Sequence, residues 1–418
     1  MKRIAIFCDG TWNRPDARFA TNVYKLHSAT LQTGSDGVVQ LPKYIPGVGT
    51  GFGMTGFAKA WDRFRGGVFG AGVTRNIMTA YRFLAEQYEP GDQVFIFGFS
   101  RGAFTARSLA GMLRASGLPP HAQAYRAAEA LRRYRNSAEE TRPDHEESFR
   151  FRAVYSPHLA TSPAEQAWRV AQGLPAVPLF TVTYLGVWDT VGAMGVPGHY
   201  KLLARLFNGS HGFHDLHLSS SVLAARHAVS VDERRRTFPP TLWENLDALN
   251  GAGGGDYLQQ WFPGDHGSVG GGGDIVGLSN ISLAWVAQGA AQKGLSFDTA
   301  RLAEYAEAED MSVSLCNQSA PPGVLARLLR HNPVDRMAPH APGVVRDVSE
   351  AARLRWRDTR SRYRPKPLRH LATDLDAPEP PDEGIAVAAE GAARPETAPR
   401  PTSRAPSRLH PRTTTGFL

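Results

Sequence analysis

Three residues far apart in the chain have the types that acyl-transfer chemistry needs: Ser100, Asp189 and His266. Ser100 is the centre of Gly98-Phe99-Ser100-Arg101-Gly102, a G-x-S-x-G pattern. In a chain of 42 glycines the pattern alone carries little weight. Its setting carries more, because the apolar run VFIF leads into it and the helix-compatible stretch 103–115 leaves it. A sharp strand-to-helix turn lifts a serine hydroxyl above the sheet, provided that glycines replace the side chains that would collide there. The amide of Arg101 then lies at a helix start, where it can donate to a developing oxyanion. A capped, glycine-rich turn without chemistry is the plainer alternative.

A serine hydroxyl needs a base to become nucleophilic, and the base needs a carboxylate to orient it. FTVTYLGVWDTVG reads as a strand ending in Asp189, well placed for the acid. LQQWFPGDHGSVGGGG is a strand followed by a glycine-rich loop that presents His266, whose imidazole titrates near neutrality. Asp232 in HAVSVDERRR is the alternative acid, and Asp265 a weaker one because adjacent side chains seldom face each other.

Other patterns imitate chemistry. His211, His214 and His217 are spaced as i, i+3, i+6, which does not bring three ligands onto one tight helical face, so a loop and helix start are expected and a metal is not. Gly51, Gly53 and Gly56 satisfy G-x-G-x-x-G, but no strand immediately precedes them and the next helical pattern begins near residue 73. A glycine loop at the site's rim is expected there, with no nicotinamide and no other cofactor. Asp9-Gly10-Thr11 after an apolar strand resembles a phosphatase start, yet Phe7 stands where D-x-D-G-T has its nucleophilic aspartate. At the carboxyl end of a sheet strand, where open α/β folds bind ligands, Asp9 and Asn13 are expected to line the rim. The amide of Gly10 or Thr11 is a candidate oxyanion donor, with a structural Asx turn as the alternative.

The elements that must position these groups follow from periodicity. Strands are expected at 3–8, 38–45, 93–99, 179–188, 227–231 and 258–262, and helices at 73–88, 103–115 and 281–292. Such alternation argues for an α/β fold whose mostly parallel central sheet is covered by helices on both faces. Residues 121–167 break the rhythm with charged helical patterns such as AYRAAEALRRYR and read as a helical cap insertion.

Composition sets outer limits. With 42% apolar and 21% charged residues the chain is globular, and two cysteines support neither a disulfide framework nor a multi-cysteine zinc site. The formal charge of +8 is mostly local, since 346–369 holds nine Lys/Arg against three acids. A solvated helix face or contact with an anionic membrane surface explains it better than nucleic-acid binding, so no nucleic-acid partner is expected. No run approaches the ~20 apolar residues of a membrane span, and no signal peptide is read, which makes a cytoplasmic location in the producing cell the expectation. The expected organisation is a catalytic domain at 1–345, a basic helical segment at 346–372 and a disordered, Pro-rich tail at 373–418.

FCDGTWN, YIPGVGTG, the helix ending in YEPGD, IFGFSRGAFTAR, GVWDTVGA, HAVSVDERRRTF and WFPGDHGSVGGGG occur in that order. Together they resemble the α/β-hydrolase domain of bacterial type VI secretion phospholipase effectors over residues 1–292, a family with many uncharacterised members. The resemblance implies an α/β-hydrolase-like fold and a lipase or phospholipase with Ser100 as nucleophile, Asp189 as acid and His266 as base. It also implies a lipid or other ester substrate, a secretion-associated or immunity partner, and delivery by contractile secretion. Where relatives commonly carry Asp two residues after the histidine, this chain has Ser268. A catalytically weak member serving as an interaction module is the alternative.

Overall fold

The structure, a computed structural model, describes residues 1–10, 13, 16–48, 68–192, 216–236, 238–251, 256–320 and 333–377. Among the described residues six strands form one sheet: β1 (Arg3–Cys8), β2 (Gln40–Ile45), β3 (Gln93–Phe99), β4 (Tyr184–Trp188), β5 (Ala224–Ser230) and β6 (Asp256–Phe262). Their order is β2-β1-β3-β4-β5-β6 and every pairing is parallel. The order reverses at β1, so the carboxyl ends of β1 and β3 flank the topological switch point where such sheets bind ligands.

Each expected strand is present. β2 starts two residues late, at Gln40, and β4 five residues late, at Tyr184, because residues 179–183 make isolated bridges such as Val182–Val222 rather than a ladder. The helices are α1 (Asn22–Ala29), α2 (Val68–Gln87), α3 (Arg101–Ser116), α4 (Ala127–Arg135), α5 (Glu146–Tyr155), α6 (Pro163–Ala171), α7 (Leu246–Gly251), α8 (His266–Gly270), α9 (Gly277–Gln292), α10 (Thr299–Glu307), α11 (Glu350–Arg357) and α12 (Ala372–Asp376).

Strand alternation sorts the core. In β1, Ile4 and Ile6 face α2 and α3, whereas Ala5 and Phe7 face α1 and α9. Both faces are therefore buried, as continuous apolar strands require.

The insertion at 121–167 folds as helices that include α4, α5 and α6 against the C-terminal end of α3. Ser116 Oγ donates to the Ala130 carbonyl at 3.1 Å, and Arg152 Nη1 to that of Ala115 at 3.0 Å. At a rise of ~1.5 Å per residue these contacts lie about 24 Å along α3 from Ser100. The insertion thus braces the far end of that helix.

Residues 345–376, which include the basic stretch, pack beside β6. Val348 bridges to Trp261, and Trp356, Tyr363, Leu368, Leu371 and Leu375 build a third apolar cluster with it. Packed chain continues past residue 373, since Trp356 Nε1 donates to Asp376 at 2.7 Å. Several of the arginines serve this packing: Arg355 donates to the Val313 carbonyl at 2.8 Å, and Arg364 lies 4.4 Å from the Trp356 ring centre.

Candidate active site

Ser100 follows β3 directly and opens α3 with φ 57° and ψ −120°, a left-handed conformation that costs a non-glycine residue about 1–3 kcal/mol. The strain is held from three sides. The Ser100 amide donates to the Trp188 carbonyl of β4 at 3.0 Å. A Cβ on Gly98 would run into the Gly102 carbonyl, and one on Gly102 into the Cys8 carbonyl at the end of β1. Both glycines of the pattern are therefore needed because helix start and neighbouring strand touch backbone to backbone. The side chain of Ser100 is buried beside the loop after β1, where a Cβ on Gly10 would lie 3.3 Å from Ser100 Cβ.

Asp189 comes next across the sheet. Phe99 pairs with Trp188 and Trp188 with Ala228, so Ser100 and Asp189 leave adjacent strands side by side. Asp189 also has positive φ, at 35°, and its carboxylate is completely buried. His266 Nδ1 lies 2.6 Å from Asp189 Oδ2. A carboxylate can only accept, so Nδ1 carries the proton and Nε2 keeps its lone pair. The ring is fixed between Phe99, at 4.6 Å between centres, and Phe238, edge-on at 4.9 Å.

His266 is presented at the start of α8, a helix of one turn capped by Asp265, which accepts from the Ser268 amide at 2.9 Å. Ser268 Oγ donates to Asp265 and to the Leu315 carbonyl, at 3.0 and 2.9 Å. This serine thus ties the loop down. Upstream, Gly264 takes φ 101°, and a Cβ there would strike Ser268. Asp232 Oδ2 accepts from the Gly264 amide at 2.7 Å and from the Tyr363 hydroxyl at 2.9 Å. Asp232 therefore braces the turn before His266, and the imidazole bonds to Asp189.

Two side chains that the sequence did not single out complete the cluster. Arg336 forks onto Asp189, with Nη1 2.6 Å from Oδ1 and Nη2 3.0 Å from Oδ2. Glu233 Oε2 accepts from the His266 amide at 3.2 Å, and its carboxylate is itself forked by Arg235 at 2.8 and 2.7 Å. Glu233 stands in VDERRR, one residue after the aspartate that the motif offered as an acid. Nothing in its local sequence distinguishes Arg336.

These neighbours set the charges. Burial opposes ionisation of Asp189, but Arg336 and then His266 hold its carboxyl far below the usual range. Burial likewise opposes the Glu233 charge, and Arg235 holds that acid at about 2. Burial pushes His266 below its ordinary value while Asp189 pulls the other way. Asp232 is raised to about 6 by burial despite its two donors. The imidazole is neutral at pH 7, as a general base must be.

The loop after β1 is organised by Asp9, also buried. Its Oδ1 accepts from the Gly10 amide at 2.7 Å and from Asn13 Nδ2 at 3.2 Å, and its Oδ2 from Thr21 and Tyr44 hydroxyls at 2.7 and 2.6 Å. The Gly10 amide is thus engaged by Asp9. Thr11, the other oxyanion candidate from this loop, lies outside the described residues, as do the glycine pattern at 51–56 and His211 and His214. His217 lines a cavity of about 300 Å³ beneath the insertion. No group of three metal-binding side chains occurs among the described residues.

Residues 2–289 match the family described as the catalytic domain of the type VI secretion system phospholipase effector Tle1-like proteins. An uncharacterized protein of Saccharomyces cerevisiae is 29% identical over 248 residues, covering 57% of this chain and 32% of the yeast protein. That relative is eukaryotic, whereas the motifs pointed to bacterial proteins. Among solved structures, an uncharacterized protein from Pseudomonas aeruginosa is similar at 18% identity and a TM-score of 0.34, over 79% of this chain and 52% of that one. The Tle1 effector bound to the VgrG spike is similar at 20% identity and a TM-score of 0.32, over 65% and 51%. The chain spans about a third of the yeast relative and about half of each solved protein.

Proposed function

The chain belongs to the Tle1-like phospholipase effector catalytic domain family, and from that premise we propose that it is a serine hydrolase of carboxylic esters acting on phospholipids or related lipids. The observation that carries the proposal is the 2.6 Å hydrogen bond between His266 and a buried Asp189, beside a serine held at positive φ. His266 Nε2 takes the Ser100 proton as Oγ attacks the acyl carbonyl. The imidazolium then protonates the leaving alcohol as the tetrahedral intermediate collapses to an acyl-enzyme. Water, deprotonated by the same nitrogen, attacks the acyl carbonyl, and Ser100 leaves with the proton returned to it. The Arg101 amide lies in the first turn of α3, where intrahelical acceptors are lacking, and is one oxyanion donor. Thr11 is the candidate for the second, since the Gly10 amide already donates to Asp9.

Among the described residues no helix is long and apolar enough to cross a membrane. Contact with lipid is therefore proposed as transient and at the surface. Delivery by a contractile secretion system, with an immunity partner to protect the producer, is the setting that family membership favours.

Hydrolysis of a panel of phospholipids and short esters by wild type and Ser100→Ala tests the assignment. We expect turnover by wild type and a loss of at least ~10⁴-fold in the variant. Equal rates would remove Ser100 from the mechanism. A folded wild type that neither turns over esters nor labels with a fluorophosphonate would instead favour an interaction module.

A further inference from the structure

Arg336 lies beyond residues 2–289, the part of the chain that matches the family. Its side chain is only 4% exposed, and its hydrogen bonds are directed at the site. Besides forking onto Asp189, Nη1 donates to the Ser230 carbonyl at 2.7 Å and Nη2 to that of Phe238 at 2.9 Å. The segment carrying it is fastened on both sides. The Val334 amide donates to the Arg234 carbonyl at 2.9 Å, and Asp335 pairs with Arg234 at 2.9 Å and Lys366 at 3.1 Å.

Two consequences follow. A planar fork on both carboxylate oxygens fixes the position and rotation of Asp189, so that Oδ2 is presented to His266 Nδ1. The fork also alters the charge balance. With Arg336 present, the resting group of carboxylate, guanidinium and neutral imidazole is electrically neutral, and forming imidazolium leaves one positive charge in a dry site. Without the guanidinium, the same proton would neutralise the group. We infer that Arg336 is a positioning residue of the hydrolytic site, supplied by the chain beyond the family domain, which aims Asp189 at His266 and keeps that pair from taking up a proton until low pH.

Other charged and titratable groups surround the pair, and His340 is lowered by burial and by the Arg336 charge. Glu233 and Arg235 form their own ion pair against the His266 backbone. Asp265 caps α8. His227, held neutral by burial with a value of about 3, accepts from the Thr190 amide beside Asp189, and Arg107 acts on it from α3. None of these groups bonds to Arg336, although its charge also acts on Glu233 and His227.

The inference rests on the serine-hydrolase reading, and its test has one arm that does not. Full-length wild type, Arg336→Met and Arg336→Lys are compared in the pH dependence of kcat/KM for a short-chain ester. The His266 titration is followed by NMR in the same proteins. In Arg336→Met we expect the acid limb and the NMR midpoint to rise by about one pH unit or more, with kcat/KM down about 10–100-fold. In Arg336→Lys, which keeps the charge but loses the fork, the limb should stay near that of wild type while kcat still falls severalfold. A merely structural role would lower activity in both variants without moving either midpoint. An unmoved or lowered midpoint in a folded Arg336→Met protein overturns the inference. Should that variant not fold, wild-type kcat/KM in Arg336→Lys overturns it. If wild type hydrolyses nothing, the hydrolase reading fails by itself, and the NMR shift still decides whether Arg336 governs protonation of the pair.

Discussion

Among the described residues two completely buried carboxylates, Glu165 and Asp189, are clasped by arginine, and only one of them also bonds to an imidazole. Glu165, in the insertion, is completely buried and fully spent. Its Oε2 accepts from Arg152 at 2.7 Å and the Thr161 amide at 2.9 Å, and its Oε1 from Arg169 at 2.7 and 3.1 Å. Asp189 is equally buried and has one arginine, one amide from Ser230 at 3.0 Å, and His266. The difference lies in the last partner. Guanidinium and amide donors never give up their protons near neutrality, so the Glu165 network can only hold helices together. An imidazole can give up and regain a proton, so the Asp189 network can do work. Backbone strain points the same way, because Asp189 and Ser100 are two of only three non-glycine residues at positive φ among the described residues. A buried ion pair alone is weak evidence for function; one that includes a titratable partner beside a strained nucleophile is much better evidence.

The contrast can be broken most directly at the two carboxylates. Asp189→Asn should lower kcat/KM by about 10⁴-fold, because the amide no longer selects the His266 tautomer with a free Nε2. It also leaves Arg336 unpaired, so the urea midpoint should fall. Adding Arg336→Met should restore much of the midpoint and none of the activity. Recovery of activity in that double variant would mean that Asp189 is structural. Glu165→Gln should do the opposite. It strands charge on Arg152 and Arg169 and should destabilise the fold by about 3–5 kcal/mol in a denaturant titration. In the folded fraction, kcat/KM should stay within about twofold, since α5 and α6 brace the end of α3 remote from Ser100. A large loss of activity at unchanged stability would show that the insertion reaches the chemistry.

What the sequence disclosed follows the same division. The Ser100 turn was readable because its requirements are local: two glycines, an apolar strand before and a helix after. Asp189 and His266 could be named because each ends or follows a strand in a parallel sheet, where the carboxyl ends converge. Asp189 stood ahead of Asp232 in the sequence, but the hydrogen bond that joins it to His266 spans 77 residues, which no spacing rule supplies. Arg336 was beyond reach for the same reason, since its partner is 147 residues away. Most of the Lys and Arg of 346–369 are exposed, as a solvated face requires, but Arg355 is buried against backbone carbonyls, and a guanidinium's long stem and donors allow such packing.

Asp232 offers the finest test, because it touches the histidine loop without touching the histidine. Asn in its place keeps an oxygen for the Gly264 amide and the Tyr363 hydroxyl, so the turn before His266 should persist and kcat/KM should change less than about threefold. Stability should respond more clearly. The folded value of Asp232, about 6, lies above the ordinary carboxylate value of ~3.9. Such a group contributes stability that is complete below pH ~4 and is lost as pH rises through 6, because the folded chain then gives up a proton that it holds more tightly than the unfolded chain does. Urea midpoints of wild type against pH should carry this downward component between about pH 4 and 6, and Asp232→Asn should lack it and be the more stable protein at pH 7.5. A variant that matches wild type at every pH would show that the carboxyl is not held in its neutral form. One that loses activity as deeply as Asp189→Asn would return Asp232 to the role of acid and undo the distinction between the two networks.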